Sequence, residues 1–205
     1  MKNWTGNSNS IYKTLGASNH TQNEREQDDF YATDPIAIDK LLAVETPNSQ
    51  IWECAAGAGH LSSRLKENGF NVYSTDIKDR GYILENLQDF LNATKDDIPF
   101  TGQFDILTNP PYKYAKEFVI KALELLPVGS KCFMFLKLTF LEGKTRYKEL
   151  FSKMPPKAIH VFSERVLCAK NAEFERMKEG GGSAVAYAWF VWEKEFAGKT
   201  MVDWI

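Results

Sequence analysis

The segment Asn109-Pro110-Pro111-Tyr112 combines residue types that together could bind a flat amino group. It follows the apolar run 104–108, where a strand is expected to end, and its two prolines fix two φ angles and remove two backbone donors. The Asn109 side chain and the Pro110 carbonyl could accept the two hydrogens of a planar amine, while Tyr112 offers a face for stacking. This set suits the exocyclic amine of a nucleobase. An Asn-Pro pair also marks an ordinary strand-to-loop turn, and the segment alone does not separate the two interpretations.

A glycine loop upstream of that segment has the composition of a cofactor loop. An apolar strand over 50–53 runs into the small residues 54–59, and a helix is expected over about 61–68. Gly57 and Gly59 permit a tight turn and close approach of the backbone to a ligand, and the helix N-terminus behind them favours polar or negative groups. The loop is not the dinucleotide fingerprint, because the third glycine position is not met.

The next strand, over 70–75, ends at Asp76. A carboxylate at the tip of the strand that follows a glycine loop is well placed to accept both hydroxyls of a ribose. The alternative is an aspartate that caps a helix or a turn. Beyond it, residues 88–91 are interpreted as the end of a short strand.

The remaining elements alternate between strand and helix. Apolar residues at helical spacing predict a helix over 115–126, and a nearly continuous apolar run predicts a strand buried on both faces over 131–138. A short helix is expected over 147–154, with strands over 158–162 and 185–192. Alternation predicts an α/β fold with a parallel sheet, whereas the last two strands lack a helix between them and are expected to be antiparallel.

The composition is that of one globular domain. The chain has 205 residues, of which 43% are hydrophobic and 25% charged, and a net charge of -2 gives no global basic signal for nucleic acid. Residues 1–28 are polar and are expected to form a mobile arm, so the domain is assigned to 29–205. Asp34 and Pro35 predict the start of its first helix.

Three cysteines, Cys54, Cys132 and Cys168, stand singly in apolar runs without metal-ligand spacing. We interpret them as buried thiols in a reducing cytoplasm. No apolar run approaches the roughly 20 residues of a membrane span, and no signal peptide opens the chain. The sequence therefore predicts a cytoplasmic protein that does not enter the membrane.

Taken together, these motifs resemble the class I S-adenosylmethionine-dependent methyltransferases, and among them the short phage and prophage N6-adenine DNA methyltransferases. The resemblance covers about 29–192 and rests on the order of four features: the segment 30–35, the loop 53–59, Asp76 and the segment 109–112. It implies a Rossmann-like, mostly parallel sheet of seven strands, with an antiparallel last strand and helices on both faces. It also implies S-adenosylmethionine as cofactor, with S-adenosylhomocysteine as product, and DNA as substrate.

The resemblance assigns roles to individual residues of this sequence. The methionine end of the cofactor is expected near the first aromatic segment and the glycine loop, the ribose at Asp76, and the adenine ring between Asp89 and Phe90. The residues implied for the methionine end are Tyr31, Thr33, Glu53, Ala55, Gly57 and Gly59. Asn109, Pro110, Pro111 and Tyr112 are the implied catalytic segment.

Substrate contacts are expected around the same pocket. Phe162, near the end of a late strand, could form a second wall, although a core position is the alternative. Lys144, Arg146 and Arg165 follow late strands and are candidate phosphate contacts, with a solvated charged loop as the alternative. No target-recognition domain follows residue 192, so a protein partner could supply sequence specificity, and the oligomeric state is not indicated.

The chemistry requires neither a metal nor a strong base. The methyl donor is a sulfonium, so the protein mainly aligns the reacting atoms. A base inside a duplex cannot reach such a pocket and must be flipped out or already single-stranded. RNA adenine and the glutamine side chain of a protein present similar planar amines, so methyltransferases acting on them are alternatives. A non-catalytic binding module on the same fold is an alternative of another class.

Overall fold

A computed structural model describes residues 31–170, 174 and 185–205. The predicted arm over 1–28 and the glycine run 180–182 lie outside the described residues. Within the described part, the strands are β1 Tyr31–Thr33, β2 Gln50–Glu53, β3 Asn71–Asp76, β4 Asn86–Leu87, β5 Asp105–Thr108, β6 Lys131–Lys137, β7 Ala158–Val161, β8 Cys168–Lys170, β9 Tyr187–Glu193 and β10 Met201–Trp204. The helices are α1 Ile36–Leu42, α2 His60–Glu67, α3 Ala115–Leu125 and the short α4 Lys144–Arg146, which continues into a π-helical turn, Tyr147–Phe151.

The main sheet has eight strands in the order β10-β7-β9-β6-β5-β2-β3-β4. All neighbouring pairs are parallel except those of β9, which runs antiparallel to both β6 and β7. The prediction of a mostly parallel α/β sheet is confirmed, and the strand predicted over 185–192, which is β9, runs antiparallel as expected. The predicted number of strands was wrong, because the sheet has eight strands instead of seven. The additional strand is β10, which follows β9 in the chain and pairs parallel with β7.

Both faces of the sheet are covered by apolar residues. Successive residues of the central strands alternate between two core clusters, as the pleat requires. Trp52, Ile106 and Met134 pack with α3 on one face, and their neighbours Ile51, Leu107 and Phe133 pack with α1 and α2 on the other. Burial on both faces explains why β5 and β6 read as continuous apolar runs in the sequence.

A separate two-stranded ribbon stands beside the main sheet. Strand β1 pairs antiparallel with β8, so that Tyr31 lies opposite Lys170 and Thr33 lies opposite Cys168. Past the ribbon, the Asp34 carboxylate accepts a hydrogen bond from the Ile36 backbone N–H (3.1 Å) where α1 begins, which agrees with the predicted helix start.

The segment after β4 departs from its prediction. Residues 88–91 were expected to end a strand, but β4 stops at Leu87 and a 3₁₀ turn occupies Phe90–Asn92. The Asp89 carboxylate accepts a hydrogen bond from the Leu91 backbone N–H (3.0 Å) and thereby starts the turn. The prediction of a strand end at 88–91 was therefore wrong.

A charged network ties β10 to the sheet. The buried ring of His160 on β7 contacts Asp203 on β10 through Nδ1 (2.5 Å) and Glu45 through Nε2 (3.2 Å). Burial alone would lower the pKa of His160, but these two carboxylates outweigh it and raise that pKa. Burial alone would raise the pKa of Glu45, but hydrogen bonds from His160 and Lys131 lower it to about 2.

No helix within the described ranges is both long enough and apolar enough to cross a membrane.

Candidate active site

The candidate site lies where the chain reverses its direction across the sheet. From β2 the chain continues outward to β3 and β4, whereas β5 is followed by β6 on the other side. Strands β2 and β5 are parallel neighbours, so the loops that leave their carboxyl ends lie side by side. In open α/β sheets, ligands bind in the crevice at such a switch point. The glycine loop follows β2 and the segment 109–112 follows β5, so the topology brings the two predicted motifs together.

The Asn109 side chain is held in one orientation by the ribbon. Its Nδ2 donates to the Thr33 Oγ1 (2.9 Å) and to the Tyr31 carbonyl oxygen (3.2 Å), and it lies 3.5 Å from the Cys168 Sγ. A carbonyl oxygen can only accept, so the amide nitrogen must face the ribbon and the amide oxygen must face away. That oxygen, Oδ1, is buried and has no hydrogen-bond partner among the described residues.

A buried acceptor without a donor is unusual, because leaving it unpaired costs about 1 to 3 kcal/mol. Asn109 therefore presents an acceptor that a ligand with an N–H group could satisfy. Strand β5 fixes its position and the ribbon fixes its rotation. The structure thus brings Asn109 together with Tyr31 and Thr33. The sequence predicted a different role for these two residues, namely binding of the cofactor.

The prolines lead into a 3₁₀ turn that sets the position of Tyr112. The Pro111 carbonyl accepts a hydrogen bond from the Tyr114 backbone N–H (2.8 Å), and the turn spans Tyr112–Tyr114 before α3 begins. This geometry agrees with the abrupt turn predicted after β5. The role of the Pro110 carbonyl as a second acceptor stays a prediction.

The Tyr112 ring is half-buried and surrounded by other side chains. Its hydroxyl lies 3.2 Å from the Cys168 Sγ, and its centroid lies 6.3 Å from those of Tyr31 and Tyr187. The Lys137 ammonium lies over the ring, 4.4 Å from the centroid. Burial raises the pKa of Tyr112 well above its ordinary value, so the phenol is neutral near pH 7.

Cys168 is a site residue that the sequence did not reveal. Its Sγ contacts both the Asn109 amide nitrogen and the Tyr112 hydroxyl, and so joins the two side chains of the predicted catalytic segment. Burial raises the pKa of this thiol, which therefore acts as a neutral hydrogen-bonding group and not as a thiolate nucleophile. In the sequence it is one small residue in an apolar run, with no sign of its long-range partners.

The Asp76 carboxylate stabilises the glycine loop. Asp76 Oδ2 accepts a hydrogen bond from the Gly57 N–H (2.8 Å), and Oδ1 accepts one from the Lys78 N–H (3.0 Å). Gly57 has φ 57° and Gly59 has φ 76°, a region that favours glycine. Each carboxylate oxygen retains a further lone pair, so Asp76 could also accept the hydroxyls of a ribose. That role stays a prediction.

Gly59 is also required by its neighbour. A Cβ at this position would lie 2.1 Å from the Tyr82 ring, so the residue must lack a side chain. Tyr82 belongs to the loop between β3 and β4 and was not singled out from the sequence. Its ring lies against the glycine loop and covers it at this point.

Glu53 lies beneath the glycine loop, in the interior. Its carboxyl is almost fully buried and accepts a hydrogen bond from the Ser62 hydroxyl of α2, which in turn lies 2.7 Å from the Ser74 hydroxyl of β3. Burial raises the pKa of Glu53 to about 8. Glu53 thus joins α2 to β3 below the loop, while the neighbouring Ala55 packs at the edge of the core. Contact of Glu53 and Ala55 with a cofactor stays a prediction.

The other predicted residues are more dispersed. Phe90 is buried against Trp52 (centroids 5.4 Å apart), which makes it a core residue, and Asp89 caps the turn before it. Phe162 packs against Phe135 (5.7 Å), the core position that the sequence left open. The part that Asp89, Phe90 and Phe162 play in binding stays a prediction.

Among the candidate phosphate contacts, Arg146 is engaged elsewhere. Its guanidinium donates to the backbone carbonyls of Phe140 (2.8 Å) and Thr139 (3.3 Å), which closes its own turn. Lys144 and Arg165 are exposed. The described residues contain no group of three or more His, Cys, Asp or Glu side chains that could hold a metal ion.

The fold, but not the sequence, matches known proteins. No family model and no curated protein matches the chain. Among solved structures, the chain is similar to a modification subunit of a proposed type I restriction enzyme from Vibrio vulnificus YJ016, with a TM-score of 0.58, 14% identity, and coverage of 95% of this chain and 51% of that one. It is also similar to a proposed class I S-adenosylmethionine-dependent methyltransferase from Listeria monocytogenes (TM-score 0.55, 11% identity, 96% and 70% covered).

A proposed hemolysin from Lactococcus lactis shares the fold as well, with a TM-score of 0.57, 13% identity, and coverage of 82% of this chain and 91% of that one. At such low identities these likenesses show the fold alone. The chain has the Rossmann-like fold found in class I S-adenosylmethionine-dependent methyltransferases, with its additional strand β10 at one edge.

Proposed function

We propose that this protein is an S-adenosylmethionine-dependent methyltransferase that modifies the N6 amino group of adenine in DNA. The observation that carries the proposal is the buried Oδ1 of Asn109, which has no partner among the described residues and faces away from the ribbon. Asn109 follows β5, the strand next to the one that leads into the glycine loop. An acceptor in that state is suited to a donor N–H group, and an exocyclic amine provides two of them.

Asn109 would act by hydrogen bonding to the amine. The lone pair of an adenine amino group is delocalised into the ring, which makes the nitrogen a poor nucleophile. The two N–H groups would donate hydrogen bonds to the Asn109 Oδ1 and the Pro110 carbonyl. These bonds would favour the pyramidal nitrogen that develops as the new bond forms. Loss of one such preorganised interaction typically slows turnover by about 10²- to 10³-fold.

The residues present fit the proposed cofactor, S-adenosylmethionine, which would supply a methyl group on a sulfonium. The positive φ angles of Gly57 and Gly59 bring backbone close to the crevice, and Asp76 at the tip of β3 keeps lone pairs free for hydroxyls. Tyr31 and Thr33, which hold Asn109, place the ribbon next to the same crevice. These residues would orient the donor toward the amine that Asn109 binds.

Two observations support DNA over other carriers of a planar amine. The modification subunit of a proposed type I restriction enzyme shares its fold with 95% of this chain. Tyr112 adds an aromatic ring next to the acceptor, and stacking of a flipped base on such a ring is worth about 1 to 3 kcal/mol. With a net charge of -2, tight and selective binding to DNA would call for a local basic surface or a protein partner.

A labelling experiment tests the proposal directly. The protein is incubated with S-adenosylmethionine carrying a labelled methyl group, together with DNA, RNA or a translation release factor. We expect label on DNA, and enzymatic digestion should recover it as N6-methyladenine. Label on RNA or on protein alone would replace DNA with one of the alternative substrates, and binding of the cofactor without any transfer would favour a binding module.

Substitution of Asn109 tests the site. The Asn109→Ala variant should lose turnover by at least about 10²-fold, while its affinity for S-adenosylmethionine in calorimetric titration changes little. Asn68→Ala, which alters an exposed asparagine at the end of α2, serves as the control and should retain turnover. Unchanged turnover in Asn109→Ala would show that the chemistry takes place elsewhere.

A further inference from the structure

Lys137 is a basic residue of the candidate site that no motif identified. It is the last residue of β6, at the same edge of the sheet as the segment that follows β5. Its side chain is half-buried, and its ammonium lies 4.4 Å from the centroid of the Tyr112 ring. A cation at this distance over an aromatic face is attracted to the ring but is not neutralised by it.

Within the described residues, the Lys137 ammonium contacts the Tyr112 ring, and no carboxylate balances its charge. Lys131, at the opposite end of the same strand, provides the contrast, because its ammonium pairs with Glu45 at 2.5 Å. A half-buried ammonium is stabilised by an anion, since partial desolvation disfavours an isolated charge. The position of Lys137 over the Tyr112 ring of the candidate site indicates that the anion is part of the ligand.

We propose that Lys137 binds a backbone phosphate of the polynucleotide substrate next to the target base, an inference that rests on the proposed function. One of the two arginines predicted as phosphate contacts, Arg146, already donates to carbonyls of its own turn. Lys137 instead offers three donors on a flexible stem, which suits a phosphate whose position varies slightly between substrates.

The topology favours a substrate phosphate over the carboxylate of the cofactor. The glycine loop follows β2, the segment 109–112 follows β5, and Lys137 ends β6, so Lys137 lies on the far side of Asn109 from the glycine loop. Strands in a sheet are about 4.8 Å apart, so the end of β6 lies two strand spacings, at least roughly 10 Å, from the end of β2. The target base would stack against Tyr112 while the ammonium moves from the ring to the phosphate.

The salt dependence of binding provides the test. Binding of a fluorescent, adenine-containing oligonucleotide is followed by anisotropy over a series of salt concentrations, and methylation kinetics are measured with the same oligonucleotide. Lys137→Met keeps an unbranched chain against the ring without the charge. We expect the slope of log K against log salt to fall by about one, and KM for the oligonucleotide to rise roughly tenfold with little change in kcat.

Two further variants sharpen the result. Lys137→Arg should restore the salt slope, because the positive charge is retained. Lys199→Met removes the same charge from an exposed residue just before the start of β10, whereas Lys137 lies at the end of β6. The two residues are therefore at opposite ends of the strands, and Lys199→Met should leave the slope unchanged. Thermal unfolding of Lys137→Met checks that the variant is folded before its binding is compared.

Four results would overturn the inference. An unchanged salt slope in Lys137→Met would show that the ammonium meets no phosphate, and a slope lowered equally in Lys199→Met would show a general charge effect. A large loss of affinity for S-adenosylmethionine in calorimetric titration of Lys137→Met would assign the ammonium to the cofactor. If the unaltered protein methylates no polynucleotide, the proposed function fails, and the role of Lys137 fails with it.

Discussion

Replacement of the buried Glu53 by glutamine should change how the stability of the protein depends on pH. The Glu53 carboxyl is 1% exposed, and burial raises its pKa to about 8, compared with 4.5 in the absence of that environment. Between these two values the unfolded chain releases the proton while the folded protein keeps it. A raised carboxyl pKa therefore lowers the stability of the fold as the pH rises through this window.

The magnitude follows from proton linkage. Where the folded state holds one more proton than the unfolded state, the free energy of unfolding falls by about 1.4 kcal/mol per pH unit. From about pH 5.5 to about pH 7 the unaltered protein should therefore lose about 2 kcal/mol relative to Glu53→Gln. Glutamine has almost the same shape and still accepts the hydrogen bond from Ser62, so the variant should fold.

Urea unfolding monitored by tryptophan fluorescence at several pH values measures this difference. The raised pKa of His160 also makes the stability depend on pH, but this residue is present in both proteins and its contribution cancels on subtraction. Glu67→Gln, an exposed carboxyl at the end of α2, controls for the removal of one negative charge. Parallel pH profiles for the unaltered protein and Glu53→Gln would refute the argument, because Glu53 would then ionise equally in the folded and unfolded states.

Three other predictions concern the loop, the thiol and the β10 network. Gly59→Ala should lower the free energy of unfolding by at least about 1 kcal/mol, because φ at this position is left-handed. In urea titration, adding Tyr82→Ala should recover part of this loss, because it removes the clash. No recovery would mean that the two residues do not touch. Cys168→Val should lower kcat and change KM little, because Asn109 loses a contact. Cys168→Ser should restore most of kcat. Equal activity in the unaltered protein and both variants would show that the thiol contributes only packing. Because the pKa of His160 is raised in the fold, the stability that it contributes should be complete below about pH 6.5 and should be lost as the pH rises through the raised value. His160→Gln should remove this loss in a comparison of thermal unfolding at about pH 6 and about pH 8.5, and an unchanged difference between the two pH values would contradict it.

The elements that carry the site could be predicted because they are buried in a regular way. Strands β2, β5 and β6 appear in the sequence as apolar runs, since both of their faces are covered. The prolines at 110 and 111 mark the turn after β5, and glycines mark the turn after β2. The order of the strands in the sheet, which the sequence did not predict, then places the two loops at neighbouring strand ends.

Other features were hidden because they depend on long-range contacts or on exposure. Strand β10 has three of its four residues exposed, so it shows no buried face for a periodicity argument to find. Cys168 meets Asn109 across a separation of 59 residues, and only the pairing of β8 with β1 brings them together. Arg146 has the charge of a phosphate contact, but backbone carbonyls of its own turn take up its donors, and the sequence gives no sign of that use.

The place of β9 in the sheet has a consequence for synthesis on the ribosome. All seven residues of β9, 187–193, pair with β6, and the same strand also pairs with β7, so it fills the gap between two strands that are made earlier. Until it emerges, the backbone N–H and C=O groups along the facing edges of these two strands have no partner strand. Such late, non-local pairing slows folding and produces aggregation-prone intermediates. We expect nascent chains stalled before this strand to bind chaperones and to resist proteases poorly, and release of the finished polypeptide to end both properties.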